Sequence, residues 1–222
     1  RIASKYFFVI IDGMKKIIIN FICALVFVSL PLFAADVSFD AVCADLARHP
    51  NTTGNFTQVR TISKVNRSLT SSGTFIFSLD GIMWKTLKPF PSTLVVGLTS
   101  VIQTTPDGKR TVIDASNNQI FTSISTTLSS IFSGNAKKLY ENFSVAFSSD
   151  GNKWNAVLTP KDKTVAAVMK SLALGGTGAS GGAEFDTIVM TEAGGDTITY
   201  TFSNQKYPKE LSADEKAVFT AK

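Results

Sequence analysis

The chain has 222 residues, of which 44% are hydrophobic and 10% aromatic, and its formal net charge is +5. The first 34 residues hold four basic residues and one acidic residue, so the rest of the chain is nearly neutral, with 18 basic and 16 acidic residues. No stripe of Lys and Arg with interleaved aromatic residues stands in that part, so the sequence does not indicate a nucleic-acid-binding surface. Its length suits a single domain with a sizeable core.

Residues 14–34 have the three parts of a secretory signal peptide. A methionine and two lysines come first, an apolar run follows over 17–30, and small residues end the segment at Ala34. The apolar run is shorter than the roughly 20 residues that a membrane-spanning helix needs. We therefore expect cleavage after Ala34, a periplasmic product that begins at residue 35, and an upstream extension over residues 1–13.

Two alternatives remain for this segment. One is a longer signal or a retained anchor, and the other is lipid attachment at Cys23. The residue before Cys23 is Ile22, whereas bacterial lipidation favours a small residue there. Cleavage after Ala34 would leave Cys43 as the single cysteine, so no intramolecular disulfide is expected in the exported chain.

The first predicted element of the domain is a short amphipathic helix over 38–49, "SFDAVCADLARH". Ser38 is a suitable N-cap, and Pro50 marks the end of the helix. Its apolar residues recur at helical spacing and predict one buried face, made of Phe39, Val42, Cys43 and Leu46.

From Gly54 the pattern alternates with a period of two, which predicts antiparallel strands joined by hairpins. The breaks between them are Asp80-Gly81, the stretch 89–91 with its two prolines, and Pro106-Asp107-Gly108. The predicted strands read "GNFTQVRTI", "GTFIFSL", "IMWKTL", "STLVVGL", "SVIQTT" and "RTVIDA".

The β pattern then stops, and residues 120–134 predict a helix that ends at Gly134. Ile124, Leu128 and Ile131 form one apolar stripe, and Phe132 lies beside it. The remaining residues are mostly Ser and Thr, which are poor helix formers, so packing must hold this helix in place. A second helical piece, "AKKLYENF", follows directly.

Strands resume in a hairpin about Asp150-Gly151, and another apolar segment runs on to "KSLALGG". The glycine-rich stretch 175–183 has no regular pattern and is predicted to be irregular. A last hairpin spans 185–204, and 211–219 predicts a terminal helical turn. The predicted fold class is mainly β with an α lid (α+β): an incomplete antiparallel β-barrel that covers an apolar cavity and is closed by short helices.

The sequence offers no set of residues for an enzyme or a cofactor. His49 is the only histidine, so a nucleophile-histidine pair would have to use it, and nothing near it resembles a nucleophile elbow. One histidine and one or two cysteines do not supply a usual zinc site. No nucleotide-binding motif is present, since "GGTGASGG" lacks the lysine of a phosphate loop.

The positive feature is an excess of large aromatic residues along the predicted strands. Two interpretations stay open: a barrel core filled by its own side chains, or a cavity lined by aromatic residues beneath the helix over 120–134. The weak helix propensity of that helix is typical of a lid that opens.

In chain order, these segments resemble the LolA family, the periplasmic carriers of outer-membrane lipoproteins. Trp84 and Pro89, five residues apart, form the most family-like short feature. The matching stretches are "GNFTQ" (54–58), "SGTFIF" (72–77) and "MWKTLKPF" (83–90), followed by "LSSIFSGN", "WNAVLTPKDKTVAAVMKSLALGG" and "GGDTITYTFSN". The resemblance covers nearly all of residues 35–222 and is that of a divergent branch.

The resemblance implies a carrier rather than an enzyme, without a cofactor, that binds the acyl chains of lipoproteins in its cavity. It also implies an inner-membrane complex that loads the carrier and an outer-membrane receiver; a monomer without nucleic acid is expected. The cavity and lid would be lined by Phe56, Phe75, Phe77, Met83, Trp84, Leu94, Val96, Ile124, Leu128, Ile131 and Phe132.

One departure from the family and two alternatives accompany this hypothesis. The family carriers have an Arg-Pro pair, linked to lid closure and directional handover, where this chain has Ser78-Leu79-Asp80-Gly81. The cargo could instead be a glycolipid or another acylated lipid. A different class of function, a structural or sensory domain with a filled core, also fits the sequence.

Overall fold

The structure, a computed structural model, describes residues 37–97, 100–114, 126–127, 129–131, 133–179 and 181–220. The predicted signal peptide therefore lies outside the described residues. Most of the predicted lid lies outside them too, including Ile124, Leu128 and Phe132. Residues 126–127 and 129–131 of the lid are helical, and Ile131 is fully buried.

Eleven described strands form one antiparallel sheet in the order β6-β5-β4-β3-β2-β1-β11-β10-β9-β8-β7. The strands are β1 (Asn51–Ile62), β2 (Arg67–Ser78), β3 (Gly81–Lys88), β4 (Ser92–Gly97), β5 (Ser100–Thr104), β6 (Arg110–Asp114), β7 (Phe143–Asp150), β8 (Lys153–Pro160), β9 (Met169–Thr177), β10 (Glu184–Glu192) and β11 (Thr197–Lys206). Within the described chain, β6 and β7 are the two edges and do not pair with each other. The sheet is therefore not closed into a barrel, which confirms the predicted incomplete barrel.

Four described α-helices accompany the sheet: α1 (Phe39–Leu46), α2 (Ala136–Asn142), α3 (Lys163–Ala166) and α4 (Ala213–Thr220). A short 3-10 turn, Ser63–Val65, lies between β1 and β2. The predicted N-cap of α1 is confirmed, because Ser38 Oγ accepts a hydrogen bond of 3.2 Å from the Ala41 backbone N–H. Among the described residues, no helix is both long and apolar enough to cross a bilayer.

The pairing of β1 with β11 joins the two halves of the chain into one sheet. Phe56 of β1 lies opposite Phe202 of β11 and, on its other side, opposite Gly73 of β2. All other neighbours in the sheet are consecutive strands joined by short connections or helices. The β1–β11 pair therefore fixes which residues of the first and last strands share a face.

The sheet has an inner face and an outer face, and each is covered by different helices. We define the inner face as the one that carries Phe75 and Phe77, and the outer face as the one that carries Ile76 and Met83. Side chains from α1 and α2 pack on the inner face as part of the main core, whereas Leu211 and the α4 side chain Phe219 pack on the outer face.

The prediction that residues 175–183 are irregular is wrong at its start, because β9 continues to Thr177. The two glycines of β9 in this stretch, Gly175 and Gly176, serve close packing within the sheet. A Cβ atom on Gly176 would stand 1.8 Å from the carbonyl oxygen of Glu184 and 2.7 Å from the indole of Trp154. Gly176 thus lets a large aromatic ring lie against the strand backbone.

Candidate functional site

An aromatic cluster occupies the inner face at the centre of the sheet. Phe75 and Phe77 project from the same side of β2, with ring centroids 4.6 Å apart. Phe202 of β11 meets both rings, at 4.9 Å and 5.5 Å. All three side chains are buried, so the cluster forms one continuous apolar surface inside the fold.

Cross-strand register extends this surface onto β3. Phe75 lies opposite Trp84 and Phe77 lies opposite Ile82, so both β3 residues share the inner face. Trp84 meets Phe77 edge-to-face at 5.6 Å and Tyr200 at 5.8 Å. The aromatic surface therefore runs across four strands, from β11 through β1 and β2 to β3.

Short helical segments cover this face. The apolar side of α1 is buried against the main core through Phe39, Val42, Cys43 and Leu46. Leu139 of α2 and Ile131 join the same core. Ile131 is fully buried there, whereas Ile124, Leu128 and Phe132 of the predicted lid lie outside the described residues.

Trp84 brings a polar group, its indole N–H, to the otherwise apolar cluster. Its side chain is half-buried at the border of the cluster, and its buried Nε1 has no hydrogen-bond partner among the described residues. The other tryptophan, Trp154, donates its Nε1–H to the Thr177 carbonyl oxygen at 2.9 Å. A buried donor without an acceptor costs free energy, so the Trp84 N–H is a group that a ligand acceptor would satisfy.

Six of the predicted site residues lie on strands at the inner face, and a seventh, Ile131, packs in the same core. Phe56, Phe75, Phe77 and Trp84 belong to, or pack against, the main cluster. Leu94 and Val96 share the face through their pairing with Trp84 and Ile82. They pack with Val101 in a smaller cluster of their own.

Met83 was assigned to the cavity wall, and that assignment is wrong. Met83 pairs with Ile76 and Val95, and all three side chains point to the outer face. They are buried there with Ile102 and Leu211. The reason is the two-residue period of a strand, which sends neighbours such as Met83 and Trp84 to opposite faces.

The predicted residue set omitted inner-face residues of the last two strands. Tyr200 of β11 lies beside Trp84, and Met190 of β10 packs against the main core. The alternating pattern of the hairpin over 185–204 was visible in the sequence. Its placement beside β1 was not, because nothing local indicates the pairing of the first strand with the last.

A cleft of about 390 Å³ opens between α3 and the turn that joins β10 to β11. Met190 belongs to both the cleft and the inner-face core. The lining is mainly apolar and consists of Val165, Ala167, Val168, Met169, Met190, Glu192, Ala193 and Gly194. The cleft therefore gives one margin of the inner face access to solvent.

The departure from the family pattern lies at a tight turn between β2 and β3. Ser78 pairs directly with Gly81, so only Leu79 and Asp80 form the loop. Ser78 Oγ donates to the Gly81 carbonyl oxygen at 3.3 Å and accepts from the Asp80 backbone N–H at 3.2 Å. A self-contained polar turn stands where the family carriers have their arginine.

The two potentially reactive side chains near the site, Cys43 and His49, are both packed against other residues of the fold. Burial, together with the charge of Asp40, raises the pKa of the Cys43 thiol from 9.0 to about 12, so this thiol stays protonated at neutral pH. His49 stacks on Tyr207 with ring centroids 4.0 Å apart. In the part of the chain that the structure describes, no group of three His, Cys, Asp or Glu residues could hold a metal ion.

The family model for "Outer membrane lipoprotein carrier protein LolA" matches residues 50–220. The chain belongs to the LolA family. The match includes all eleven described strands of the sheet, and the family is one of non-enzymatic carriers. No curated protein gives a significant match to this LolA-family chain.

Three solved structures are similar to this chain. A LolA superfamily protein from Nitrosomonas europaea is 9% identical, with a TM-score of 0.45, over 79% of this chain and 94% of its own. A domain named for outer-membrane lipoprotein sorting, from Vibrio parahaemolyticus, is 11% identical, with a TM-score of 0.43, over 81% and 97%. A DUF1329 family protein from Desulfovibrio piger is 11% identical, with a TM-score of 0.44, over 81% and 95%.

Proposed function

We propose that this protein is a periplasmic carrier that binds the acyl chains of lipoproteins, or of a related acylated lipid, on the inner face of its sheet. In this proposal it transfers them toward the outer membrane. Membership of the LolA family supports the carrier class. The observation that carries the proposal is the continuous aromatic inner face, bordered by Trp84, whose buried N–H has no acceptor in the described part of the chain.

The energetics of apolar burial are sufficient for this role. Each buried methylene contributes about 0.8 kcal/mol, so about eight methylenes contribute about 6 kcal/mol. That free energy corresponds to a dissociation constant of roughly tens of micromolar. Burial of half of one long acyl chain would therefore give useful and reversible binding.

Ligand binding requires a rearrangement of the inner face. The rings of Phe75, Phe77 and Phe202 pack against one another, with centroids 4.6–5.5 Å apart. They therefore occupy the space that an acyl chain would fill. An acyl chain would separate them from the covering segments, which include α1 and Ile131. We assign to the Trp84 N–H the role of donor to the ester or amide carbonyl of the acyl group.

Handover would follow an affinity gradient. The sequence contains no phosphate-loop motif, so in this proposal the energy for loading comes from an inner-membrane complex and release is driven by a receiver with higher affinity. The arginine that the family uses in directional handover has no counterpart at the Ser78–Gly81 turn. For this reason the cargo class includes glycolipids and other acylated lipids besides lipoproteins.

One observation favours a second candidate, a structural or sensory domain with a filled core. The rings at the centre of the inner face are almost completely buried, with Phe75 and Phe77 each 1% exposed. In such a domain the aromatic residues would serve stability alone, and no acyl chain would displace the segments that cover them.

Fluorescence quenching separates the two candidates. Bromine atoms quench an indole that they contact, so we propose a titration of delipidated protein with a brominated long-chain fatty acid. The carrier predicts saturable quenching in the wild type and loss of most of it in Trp84→Phe, which retains Trp154. The unbrominated fatty acid is the control. Quenching that never saturates, or that is equal in both proteins, would leave the filled-core domain as the function.

A further inference from the structure

We propose that one end of the sheet docks on the surface of a bilayer that contains anionic phospholipid. The surface is formed by three exposed apolar side chains and three exposed cations, which lie at the start of β2, at the end of β3 and in the connections that follow β3 and β5. We call it the basic rim and define it by Leu69, Leu87, Phe90, Arg67, Lys88 and Lys109.

Strand register places these residues at the same end of the sheet. Ser72 of β2 pairs with Lys88 of β3, so Arg67 and Leu69 lie just beyond the end of β3. Thr86 pairs with Ser92, so the last two residues of β3, Leu87 and Lys88, and the connection 89–91 lie at that end. Thr104 pairs with Arg110, and Lys109 belongs to the turn that joins these two residues.

The apolar residues of the rim are exposed to a degree that is unusual for their size. Phe90 is 77% exposed, Leu69 is 61% exposed and Leu87 is 48% exposed. Phe90 stands between Pro89 and Pro91, which restrict the backbone and hold the ring at the tip of the loop. Exposed aromatic and aliphatic side chains beside cations are typical of surfaces that insert into the membrane interface.

The charge of the rim determines which surface it fits. Arg67, Lys88 and Lys109 are exposed, and none of them forms a salt bridge within the described part of the chain. The nearby carboxylate, Asp107, accepts hydrogen bonds from Thr105 Oγ1 and from the backbone N–H of Lys109, so it stabilises its own turn. Cations around an apolar tip complement anionic headgroups around acyl chains.

The opposite end of the same strands provides a comparison. The turn between β2 and β3 exposes one apolar side chain, Leu79, which is 53% exposed and is followed by the acidic Asp80. Leu79 has an exposure close to that of Leu69 and Leu87 but lacks their basic neighbours. It therefore serves as a matched control for an apolar residue outside the basic rim.

Docking through the basic rim goes beyond acyl binding and does not depend on it. The rim needs no cavity, and its residues are not part of the aromatic cluster. The cleft lined by Met190 opens at the same end of the sheet. It lies where β10 ends and β9 begins, and the turn after β10 stands beside the β1–β2 connection because Thr61 pairs with Thr197. A docked protein would thus present that margin of its inner face to the bilayer.

Vesicle co-sedimentation tests the proposal. Purified protein is mixed with vesicles of phosphatidylethanolamine and phosphatidylglycerol, or with vesicles of phosphatidylcholine alone. We expect binding to the anionic vesicles that weakens with added salt, because exposed charges are screened. Phe90→Ser and the double variant Lys88→Gln/Lys109→Gln should each reduce the partition coefficient by about tenfold.

Leu79→Ser is the control and should bind the anionic vesicles like the wild type. All of these positions are exposed, so the variants are expected to fold, and circular dichroism checks this. Equal losses in Leu79→Ser and Phe90→Ser would overturn the proposal. A wild-type protein that sediments with neither vesicle type would also overturn it. Neither outcome bears on the quenching experiment with fatty acid, so the two proposals can fail separately.

Discussion

The indole of Trp84 meets the ring of Phe77 edge-to-face, with centroids 5.6 Å apart and planes at 72°. This contact joins a half-buried residue at the border of the inner face to one that is 1% exposed at its centre. The contact thus links the buried interior of the fold to a partly exposed side chain. The predictions below separate the structural role of this region from its binding role.

Phe77→Ala is expected to destabilise the protein by about 3–5 kcal/mol, because it removes a fully buried ring and leaves a cavity among Phe75, Trp84 and Phe202. Chemical denaturation followed by circular dichroism measures the change. Phe90→Ala is the control, since its ring is 77% exposed and its loss should change the free energy of unfolding by less than about 0.5 kcal/mol. Similar values for the two variants would contradict the described core.

Met83 and Trp84 are neighbours in sequence on opposite faces, so their variants should affect different properties. Met83→Ala is expected to lower stability by about 2–3 kcal/mol because Met83 is buried beneath Leu211 on the outer face, yet fatty-acid affinity should stay unchanged. Trp84→Phe should weaken that affinity, because the N–H donor is lost, and should change stability little. Chemical denaturation and an acyl-probe titration of both variants check this. If binding weakened in Met83→Ala alone, the acyl site would lie on the outer face, which would contradict the proposal.

Gly176→Ala is expected to be strongly destabilising, because the new methyl group would meet the Glu184 carbonyl oxygen and the Trp154 ring. Overpacking of this kind typically costs about 1–3 kcal/mol, and the backbone clash here places the effect at the upper end. Gly194→Ala is the matched control, since a Cβ there meets no atom within 4 Å. Thermal melting should show a clearly lower melting temperature for Gly176→Ala alone, and equal melting temperatures would refute the close approach.

Cys43 is expected to resist thiol reagents in the folded protein. Burial raises its pKa from 9.0 to about 12, so the reactive thiolate is scarce below that range. An unfolded chain would release the proton near its ordinary pKa, so this group favours the folded state fully below about pH 9, and that contribution is lost as the pH rises toward 12. A disulfide reagent at pH 8, used on Cys23→Ser protein, should react only after denaturant is added; rapid reaction of the native protein would contradict the burial.

Much of the fold could be predicted from local patterns. The helical spacing of Phe39, Val42 and Leu46 identified α1, and the two-residue alternation identified the strands and their turns. These signals depend on residues close in sequence, which is why they are readable without a structure. The extension of β9 through Gly176 could not be predicted, because glycine adds nothing to a hydrophobic alternation pattern. Glycine is needed there because the strand packs against the Glu184 backbone, a contact that the local sequence does not reveal.

The candidate site could be predicted only in part, for a related reason. Phe75, Phe77 and Trp84 share a face because β2 and β3 form a hairpin whose register follows from the turn at Leu79-Asp80. Tyr200 reaches Trp84 through the pairing of β11 with β1, which no local signal specifies. Met83 is as hydrophobic as its neighbours, but the alternation of side chains along β3 places it on the outer face, so hydrophobicity alone does not identify the residues of the site.

Competition between a fluorescent fatty acid and a lipopeptide tests the carrier account most directly. Delipidated protein is saturated with the probe and then titrated with a diacylated lipopeptide or with the same peptide without its acyl chains. The account predicts saturable probe binding, displacement by the acylated peptide at micromolar concentration, and no displacement by the deacylated one. Failure of the probe to bind saturably, or displacement by both peptides alike, would contradict the claim that the inner face carries acyl chains.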